Sequence, residues 1–169
     1  MVLLICCVQN KRMKPWAKLL LSIVIPLAVG ILSGLFTASG VNGWYRTIQK
    51  PSWNPPNAVF APVWTTLYIL MGIALYLVWN DKASEETKRP VITFWVGQLV
   101  LNALWSFLFF SQHAIGLALV EIIVLWFAIL ITIFLFARIR KAAAWLLVPY
   151  ISWVSFASLL NFALWQLNK

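Results

Sequence analysis

The sequence predicts an all-α integral membrane protein, a bundle of five transmembrane helices. Of its 169 residues, 63% are hydrophobic and only 10% are charged, whereas soluble domains average about 45–50% apolar and about 25% charged residues. The apolar residues fall into five blocks of about 20 residues, the length that a helix needs to cross a hydrocarbon core of about 30 Å. This composition excludes a disordered chain, a collagen-like repeat and a disulfide scaffold.

The five blocks read as helices and not as strands of a membrane barrel. Barrel strands alternate apolar and polar residues, whereas the stretch from Ile122 to Ile131 is apolar throughout. Pro26, Pro62 and Pro149 fall inside blocks and predict bends, which help a cavity to form. The predicted spans are residues 19–36, 59–79, 91–110, 114–136 and 142–165.

Residues 1–13 are predicted to be an amino-terminal extension of a single membrane domain that covers residues 14–169. The extension lacks the order of a signal peptide, because its basic residues follow the apolar stretch instead of preceding it. Met13 is an alternative start of the chain.

The sequence contains no recognisable metal or cofactor motif. Cys6 and Cys7 are adjacent, a spacing that disfavours a disulfide between them, and one His with two Cys cannot build a tetrahedral zinc site. Neither a catalytic triad nor a phosphate loop nor a nucleotide fingerprint can be assembled. We therefore expect no metal and no resident cofactor, and any chemistry must come from a bound ligand or from tryptophan.

Basic residues are distributed unequally between the two sides of the membrane. The amino-terminal side carries ten of the 13 Lys and Arg residues, and the other side carries Arg46, Lys50 and Lys169. The positive-inside rule then predicts a cytoplasmic amino terminus and an external carboxyl terminus. Because these charges are scattered over short loops, topology explains the net charge of +9 better than a nucleic-acid partner does.

Tryptophan is abundant, with 11 residues, and its positions divide by role. Four lie at or near span ends, where the amphipathic ring prefers the headgroup layer, and are predicted to be interfacial anchors. Two, Trp44 and Trp53, lie in an outer loop over residues 38–57 that also holds three prolines. A stiff loop of about 20 residues is typical of a lid over a cavity. The predicted anchors are Trp16, Trp79, Trp145 and Trp165.

Three spans each carry rings and amides on one helical face, by their spacing of three and four residues. At about 1.5 Å per residue, several of these side chains and Glu121 lie roughly 8–14 Å below the outer surface, with Trp153 deeper. We infer a ligand pocket under the loop, with ordinary helix packing as the alternative. The faces are Phe60, Trp64 and Tyr68; Trp95, Gln98, Asn102, Trp105 and Phe109; and Trp153, Ala157 and Asn161.

Glu121 is the only acidic residue inside a predicted span. A charge near the centre of a bilayer costs about 2.5–3.5 kcal/mol on insertion scales, so this side chain should face the bundle. It is either a protonated structural carboxyl or a ligand or proton site. Gly30 and Gly34 form a motif that allows close packing on another helix, in the same chain or in a dimer.

Several short motifs occur together in the loop and the spans: Trp44-Tyr45, Lys50-Pro-Ser-Trp-Asn-Pro-Pro56, Phe60-Ala-Pro-Val-Trp64-Thr, Leu101-Asn-Ala-Leu-Trp105, Pro149-Tyr150, Trp153-Val-Ser-Phe-Ala157, Asn161 and Trp165-Gln-Leu-Asn168. By these motifs the sequence resembles the TspO/MBR family, also called tryptophan-rich sensory proteins, translocator proteins or peripheral-type benzodiazepine receptors. The resemblance covers about residues 14–168.

The resemblance implies a dimeric five-helix protein of the bacterial inner membrane that binds porphyrins such as protoporphyrin IX. The predicted function is a membrane receptor or sensor for porphyrins, with a transporter of porphyrins or other small hydrophobic molecules as the alternative and a structural scaffold as a further one. Trp64 and Trp153 match two tryptophans tied in bacterial relatives to light-dependent porphyrin breakdown, so photo-oxidative degradation also stays open. The sterol consensus of animal members is not evident near the end of the fifth span. The family's ligand pocket, carried over by position, comprises Tyr45, Pro55, Phe60, Trp64, Tyr68, Asn102, Trp153, Ala157 and Leu160.

Overall fold

A computed structural model describes residues 13–169. The predicted extension, with Cys6, Cys7 and the choice between Met1 and Met13, therefore lies outside the described residues up to position 12. The described helices are α1 (Pro15–Asn42), α2 (Asn57–Trp79), α3 (Glu85–Ser106), α4 (Ile115–Ile139), α5 (Lys141–Trp145) and α6 (Val148–Leu167). A 3-10 turn covers Trp44–Arg46, and a π-helical turn, Phe107–Ser111, extends α3.

The prediction of an all-α membrane bundle is confirmed. Residues 13–169 contain helices and no strand, and five helical segments are long and apolar enough to cross a membrane. The outward-facing side chains of α4, such as Leu117, Phe127 and Phe134, are exposed although they are large and apolar. A surface of this kind is stable only in contact with lipid. The spanning segments are Pro15–Leu35, Asn57–Trp79, Glu85–Ser111, Ile115–Ile139 and Lys141–Leu167.

Two predicted boundaries differ from the structure. The first helix continues to Asn42, six residues past its predicted end, so the long loop between α1 and α2 covers only residues 43–56. Helix continuation brings Gly40 against the end of α3, where a Cβ atom at position 40 would lie 2.8 Å from the Phe110 carbonyl oxygen. The fifth span is divided into α5 and α6, with Pro149 in the first turn of α6, where its missing N–H costs little.

The core consists of two clusters of buried side chains. The larger one runs through the middle and amino-terminal end of the bundle and includes Met71, Trp95, Leu99 and Tyr150. The smaller one lies at the end that carries the long loop, which we call the loop end. Its buried members are Tyr45, Phe109, Phe110, Ile115, Ala118, Leu160 and Leu164.

The close-packing motif in α1 acts within the chain at one of its two glycines. Gly30 lies against the ring of Tyr68 in α2, so even a methyl group at position 30 would press on that ring. At Gly34, one turn further along, no heavy atom of the described residues lies within 4 Å of the place that a Cβ atom would occupy, so this face is open. The helix pair α1–α2 is packed more extensively than any other described pair in the bundle.

The prediction that four tryptophans are interfacial anchors is wrong for Trp79. Trp16 and Trp145 are 64% and 71% exposed, as expected of anchors, whereas Trp79 is only 3% exposed. Trp79 lies on the same buried face of α2 as Leu75 and Val78. Because α2 is rotated so that this face points inward, the Trp79 ring lies in the core. Proximity to a helix end does not reveal that rotation.

Charged groups connect the two loops at the end opposite the long loop. The buried Lys88 side chain donates hydrogen bonds to the carbonyls of Trp79 (3.4 Å) and Asp81 (3.2 Å) and pairs with Glu85 at 2.7 Å. Arg140 lies 3.8 Å from the Asp81 carboxylate. Lys88 therefore satisfies carbonyls at the carboxyl end of α2, where a cation is also favoured by the helix dipole.

Candidate ligand-binding site

The long loop is folded onto the bundle through the buried side chain of Tyr45. Its ring contacts those of Phe109 and Phe110, and its hydroxyl donates a hydrogen bond of 2.7 Å to Oδ1 of Asn54. The Lys50 ammonium lies 4.8 Å from the centre of the same ring. Burial raises the pKa of Tyr45 to about 12, so the phenol stays neutral and remains a hydrogen-bond donor at physiological pH.

Two further contacts hold the loop at its flanks. The indole of Trp44 stacks on His113 with ring centres 4.4 Å apart, and Trp53 meets Phe156 of α6 edge to face at 5.8 Å. His113 lies in the short turn between α3 and α4 and has a positive φ of 54°. The loop is thus attached both to the α3–α4 turn and to α6.

Deeper in the bundle, a chain of hydrogen bonds joins three helices. The Tyr68 hydroxyl of α2 donates to Oδ1 of Asn102 in α3 at 2.5 Å, and Nδ2 of Asn102 donates to the Tyr150 hydroxyl of α6 at 3.1 Å. Trp64 covers this chain, because its ring stacks on Tyr68 (5.7 Å) and meets Tyr150 edge to face (6.3 Å). All three hydrogen-bonding side chains are buried.

A row of aromatic rings links the hydrogen-bonded chain to the loop along the contact between α2 and α6. Phe60 meets Trp153 edge to face at 5.9 Å, and Trp153 lies 5.5 Å from Phe156, which in turn contacts Trp53. Aromatic pairs of this geometry add about 0.5–1.5 kcal/mol beyond their buried area. The row also supplies faces on which a flat ligand could stack.

The indoles inside the bundle differ in whether their N–H groups are already bonded. Trp105 donates to Oδ1 of Asn161 at 3.0 Å, and Trp126 donates to the Ser155 hydroxyl at 2.8 Å. The N–H of Trp153 is buried and has no partner among the described residues. A buried donor without a partner is uncommon, and this one can bond a ligand acceptor.

Glu121 is buried, as expected, and neither of its carboxyl oxygens has a hydrogen-bond partner within residues 13–169. Both amide atoms of Gln98 and the N–H of Trp95 share this state. The described side chains near Glu121 thus provide neither a metal-ligand group nor an ion pair for it.

The structure places the predicted pocket residues in two adjacent groups. Tyr45, Phe60 and Leu160 belong to the loop-end cluster, and Trp64, Trp153 and Ala157 pack against the larger cluster. Tyr68 and Asn102 lie beside the second group and share the hydrogen bond described above. Pro55 is in the loop, where its carbonyl accepts a hydrogen bond of 3.0 Å from Nδ2 of Asn54.

Tyr150 is one of two residues of this region that the spacing pattern did not select as candidate site residues. It is fully buried and is the third member of the hydrogen-bonded chain. Its position three residues before Trp153 places it on the helical face of Trp153, Ala157 and Asn161, so extending that face by one turn would have found it. Phe156 was missed for another reason, because it lies at the edge of that face and contacts Trp53 of the loop.

Comparison with known proteins places these features in a family. The sequence model of the TspO/MBR family matches residues 22–166. The chain is 45% identical to the Tryptophan-rich protein TspO of Chlorobaculum tepidum over 150 residues, which is 89% of this chain and 95% of that protein. It is 44% identical to the protein of the same name from Archaeoglobus fulgidus over 151 residues, 89% of this chain and 97% of that protein.

The similarity extends to mammals. The chain is 35% identical to the Translocator protein of Bos taurus over 157 residues, 92% of each chain. The family match includes most of each of the five membrane-spanning segments, the whole long loop and every residue of the hydrogen-bonded chain and the aromatic row. The chain therefore belongs to the TspO/MBR family of multi-pass membrane proteins.

Proposed function

We propose that this protein is a membrane receptor that binds porphyrins, with protoporphyrin IX as the reference ligand, between the long loop and helices α2, α3 and α6. The observation that carries the proposal is the combination of the aromatic row, Phe60–Trp153–Phe156, with the neighbouring Tyr68–Asn102–Tyr150 chain. Ligand sites are typically lined by aromatic and apolar groups with a few fixed polar atoms. A porphyrin combines a wide flat ring with polar edge groups and matches both parts.

The proposal also covers the membrane, the orientation and the oligomeric state of the receptor. The ten-to-three distribution of basic residues supports a cytoplasmic amino terminus, with the loop end on the outer side of a bacterial cell membrane. The open glycine face of α1 supports a homodimer, because small residues let helices approach closely in lipid. Its partners are then the bilayer, a second copy of the chain and the porphyrin.

Titration in phosphatidylcholine nanodiscs tests binding directly. Protoporphyrin IX is added to the protein, and its absorbance shift is followed. A double variant, Trp64→Ala with Trp153→Ala, should bind at least about tenfold more weakly, because each ring supplies stacking area worth about 1 kcal/mol or more. Trp145→Ala is the matched control, since this tryptophan is exposed on the surface of the bundle and takes no part in the proposed site. Equal affinity in the double variant and the wild type would refute the site.

The indole N–H of Trp153, which has no hydrogen-bond partner among the described residues, favours a second activity. This activity is the light-dependent breakdown of bound porphyrin. An indole next to a photoexcited porphyrin can transfer one electron to it, giving an indole radical cation and a porphyrin radical anion. Dissolved oxygen then adds to the reduced ring and forms a carbon–oxygen bond, and the adduct returns one electron to the indole radical cation, so that the net change is the addition of O2 to the porphyrin. Trp105 and Trp126 are hydrogen-bonded to the protein, whereas the Trp153 N–H has no partner among the described residues and can face a ligand.

Illumination of the porphyrin complex tests this activity against a dark control. The wild type should lose porphyrin absorbance and form a discrete product in air, and Trp153→Phe together with Trp64→Phe should abolish product formation while keeping two aromatic faces. Equal product yield from the double Phe variant would reject the role of the two indoles.

The name of the mammalian relatives, Translocator protein, supports transport as the alternative function. This function predicts net movement of porphyrin across the bilayer. Flux of protoporphyrin IX into liposomes that contain the protein, compared with protein-free liposomes, measures it. Binding without flux above the protein-free rate would favour the receptor.

A further inference from the structure

A groove of about 610 Å³ runs along the outside of the bundle between α2 and α6. It lies within the membrane-spanning part of both helices, so it faces the hydrocarbon of the bilayer. Its walls are formed by Pro62, Val63, Thr66, Leu67 and Leu70 of α2 and by Pro149, Ser152, Trp153 and Phe156 of α6.

The groove exists because these two helices pack against each other at few positions. Few residues of α2 approach residues of α6, far fewer than approach α1. Thr66 and Ser152 are small, and Pro62 and Pro149 are exposed on opposite walls. Small side chains and proline rings on both walls leave a space that larger side chains would fill.

The groove presents an apolar surface, although two of its side chains carry hydroxyl groups. Its two polar side chains bond to their own helices, because the Thr66 hydroxyl donates to the Pro62 carbonyl and the Ser152 hydroxyl donates to the Val148 carbonyl, each at 2.9 Å. None of the described residues that line it is charged. Such a surface suits an apolar ring or hydrocarbon and offers no hydrogen bond to a polar solute.

Trp153 belongs both to this groove and to the proposed pocket. Its ring lines the groove, while the same ring meets Phe60, and its N–H is buried. Val63 and Leu67 of the groove wall each precede a pocket residue, Trp64 and Tyr68, by one position along α2. The Trp153 and Phe60 rings therefore stand where the groove and the pocket meet.

The aqueous side of the pocket, in contrast, is covered by the attached loop. The contacts of Tyr45 with Phe109 and Phe110, of Trp44 with His113 and of Trp53 with Phe156 all have to be separated to lift the loop away. On the lateral side the rings of Phe60, Trp153 and Phe156 stand at the α2–α6 contact, and we expect rotamer changes of these side chains to open it. Rotamer changes are faster than loop rearrangements.

We propose that the α2–α6 groove is the portal through which a flat ligand dissolved in the bilayer reaches the pocket. The inference rests on the proposed function, because it presumes that the pocket binds such a ligand. It specifies the route and hence the ligand class, namely molecules that partition into the membrane before they bind. Trp153 and Phe60 form the inner boundary of the portal.

A pair of neighbouring threonines allows a matched test. Thr66 lines the groove, whereas Thr65 does not, although both are exposed and both hydroxyls bond to the carbonyl four residues earlier. Thr66→Phe fills the groove, and Thr65→Phe adds the same ring to the lipid-facing surface. Stopped-flow fluorescence in phosphatidylcholine nanodiscs, with protoporphyrin IX as the probe and empty nanodiscs as the blank, gives association and dissociation rates.

The portal predicts that Thr66→Phe slows association and dissociation together, each by about tenfold, while Kd stays within about twofold of the wild type, because a blocked route changes both rates equally. Thr65→Phe should match the wild type. Ser152→Phe on the opposite wall should repeat the Thr66→Phe result, which guards against a folding defect of one variant.

Three results would overturn the portal. Equal rates in Thr66→Phe, Ser152→Phe and Thr65→Phe mean that the ligand enters elsewhere. A raised Kd with an unchanged association rate makes the groove part of the binding site instead of the route. Asn168 holds Gln49 of the loop by two hydrogen bonds, and faster association when the loop is loosened by Asn168→Ala places the route under the loop. Absence of porphyrin binding by the wild type instead refutes the proposed function and is distinguished from all three.

Discussion

Asn168 and Gln49 exchange two hydrogen bonds across 119 residues of sequence. The backbone N–H of Gln49 donates to Oδ1 of Asn168, and Nδ2 of Asn168 donates to the carbonyl of Gln49, each at 2.9 Å. The same Nδ2 also donates to the Leu164 carbonyl at 2.8 Å. One amide thus joins the long loop to the end of α6, the helix that carries Trp153.

Asn168→Ala should loosen the loop without unfolding the bundle. It removes two exposed hydrogen bonds to Gln49, and such bonds each contribute about 0.5–1.5 kcal/mol. Hydrogen–deuterium exchange should increase over residues 47–57 and stay unchanged in α4. Asn168→Asp, which keeps the acceptor and loses the donor, should give an intermediate increase. Wild-type exchange in both variants would contradict the assigned role of Asn168.

Asn102→Ala should destabilise the protein, because it leaves two buried phenols, Tyr68 and Tyr150, without their shared partner. Hydrogen bonds between membrane helices are worth about 1–2 kcal/mol, so a loss of that order is expected in the free energy of unfolding. Thermal unfolding in detergent measures it. The matched control is Asn168→Ala, which removes an exposed amide and should lower the unfolding midpoint less. If Asn102→Ala lowers the midpoint by the same amount or less, the Tyr68–Asn102–Tyr150 hydrogen bonds add no stability.

Glu121→Gln should leave thermal stability unchanged or raise it. The side chain is buried and its carboxyl oxygens have no partner among the described residues, so an amide of the same shape avoids the cost of a charge in the bilayer. Glu121→Lys should reduce the yield of folded protein strongly, since lysine cannot easily lose its charge there. A marked drop in the unfolding midpoint of Glu121→Gln would instead identify the carboxyl as a stabilising group.

Gly72→Ala should lower stability, whereas Gly34→Ala should not. A Cβ atom at position 72 would lie 2.6 Å from the Ser22 carbonyl oxygen and 2.8 Å from Cα of Ile23, so α1 and α2 would have to move apart. A Cβ atom at position 34 meets no described atom within 4 Å, and alanine favours helix by up to about 1 kcal/mol over glycine. Unfolding midpoints of the two variants compare these effects, and equal midpoints would contradict the packing of Gly72.

The hydrogen bond from the Tyr45 hydroxyl to Asn54 should be lost at high pH, when the phenol loses its proton. Its pKa is raised by burial to about 12, above the ordinary value of about 10. A raised pKa favours the protonated form in the folded protein, so the contribution of this phenol to stability is complete below about pH 10 and is lost as the pH rises through about 12. Ultraviolet absorbance of the phenolate should show one late titration step that Tyr45→Phe lacks. A titration identical in the two proteins would refute the assignment.

Part of the candidate site follows from helical spacing, and part does not. The face of α3 that contains Trp95, Gln98 and Asn102 was predicted from a spacing of three and four residues, and all three side chains are buried. The same reasoning could not assign partners, because spacing shows which residues share a face but not which face they meet. Asn102 bonds to Tyr68 and Tyr150, and neither pairing can be read from one helix alone.

The sequence by itself determined that this chain crosses a membrane five times, and it identified the loop and the motifs of the TspO/MBR family. These properties depend on local hydropathy and on order along the chain, and each span is apolar enough to be recognised alone. Only the tertiary structure decided that Trp79 is buried in the core while Trp145 is exposed, that Asn168 is bonded to Gln49, and that α2 and α6 leave a groove beside Trp153. Those outcomes depend on the rotation and vertical register of each helix against its neighbours, which packing of the whole bundle sets.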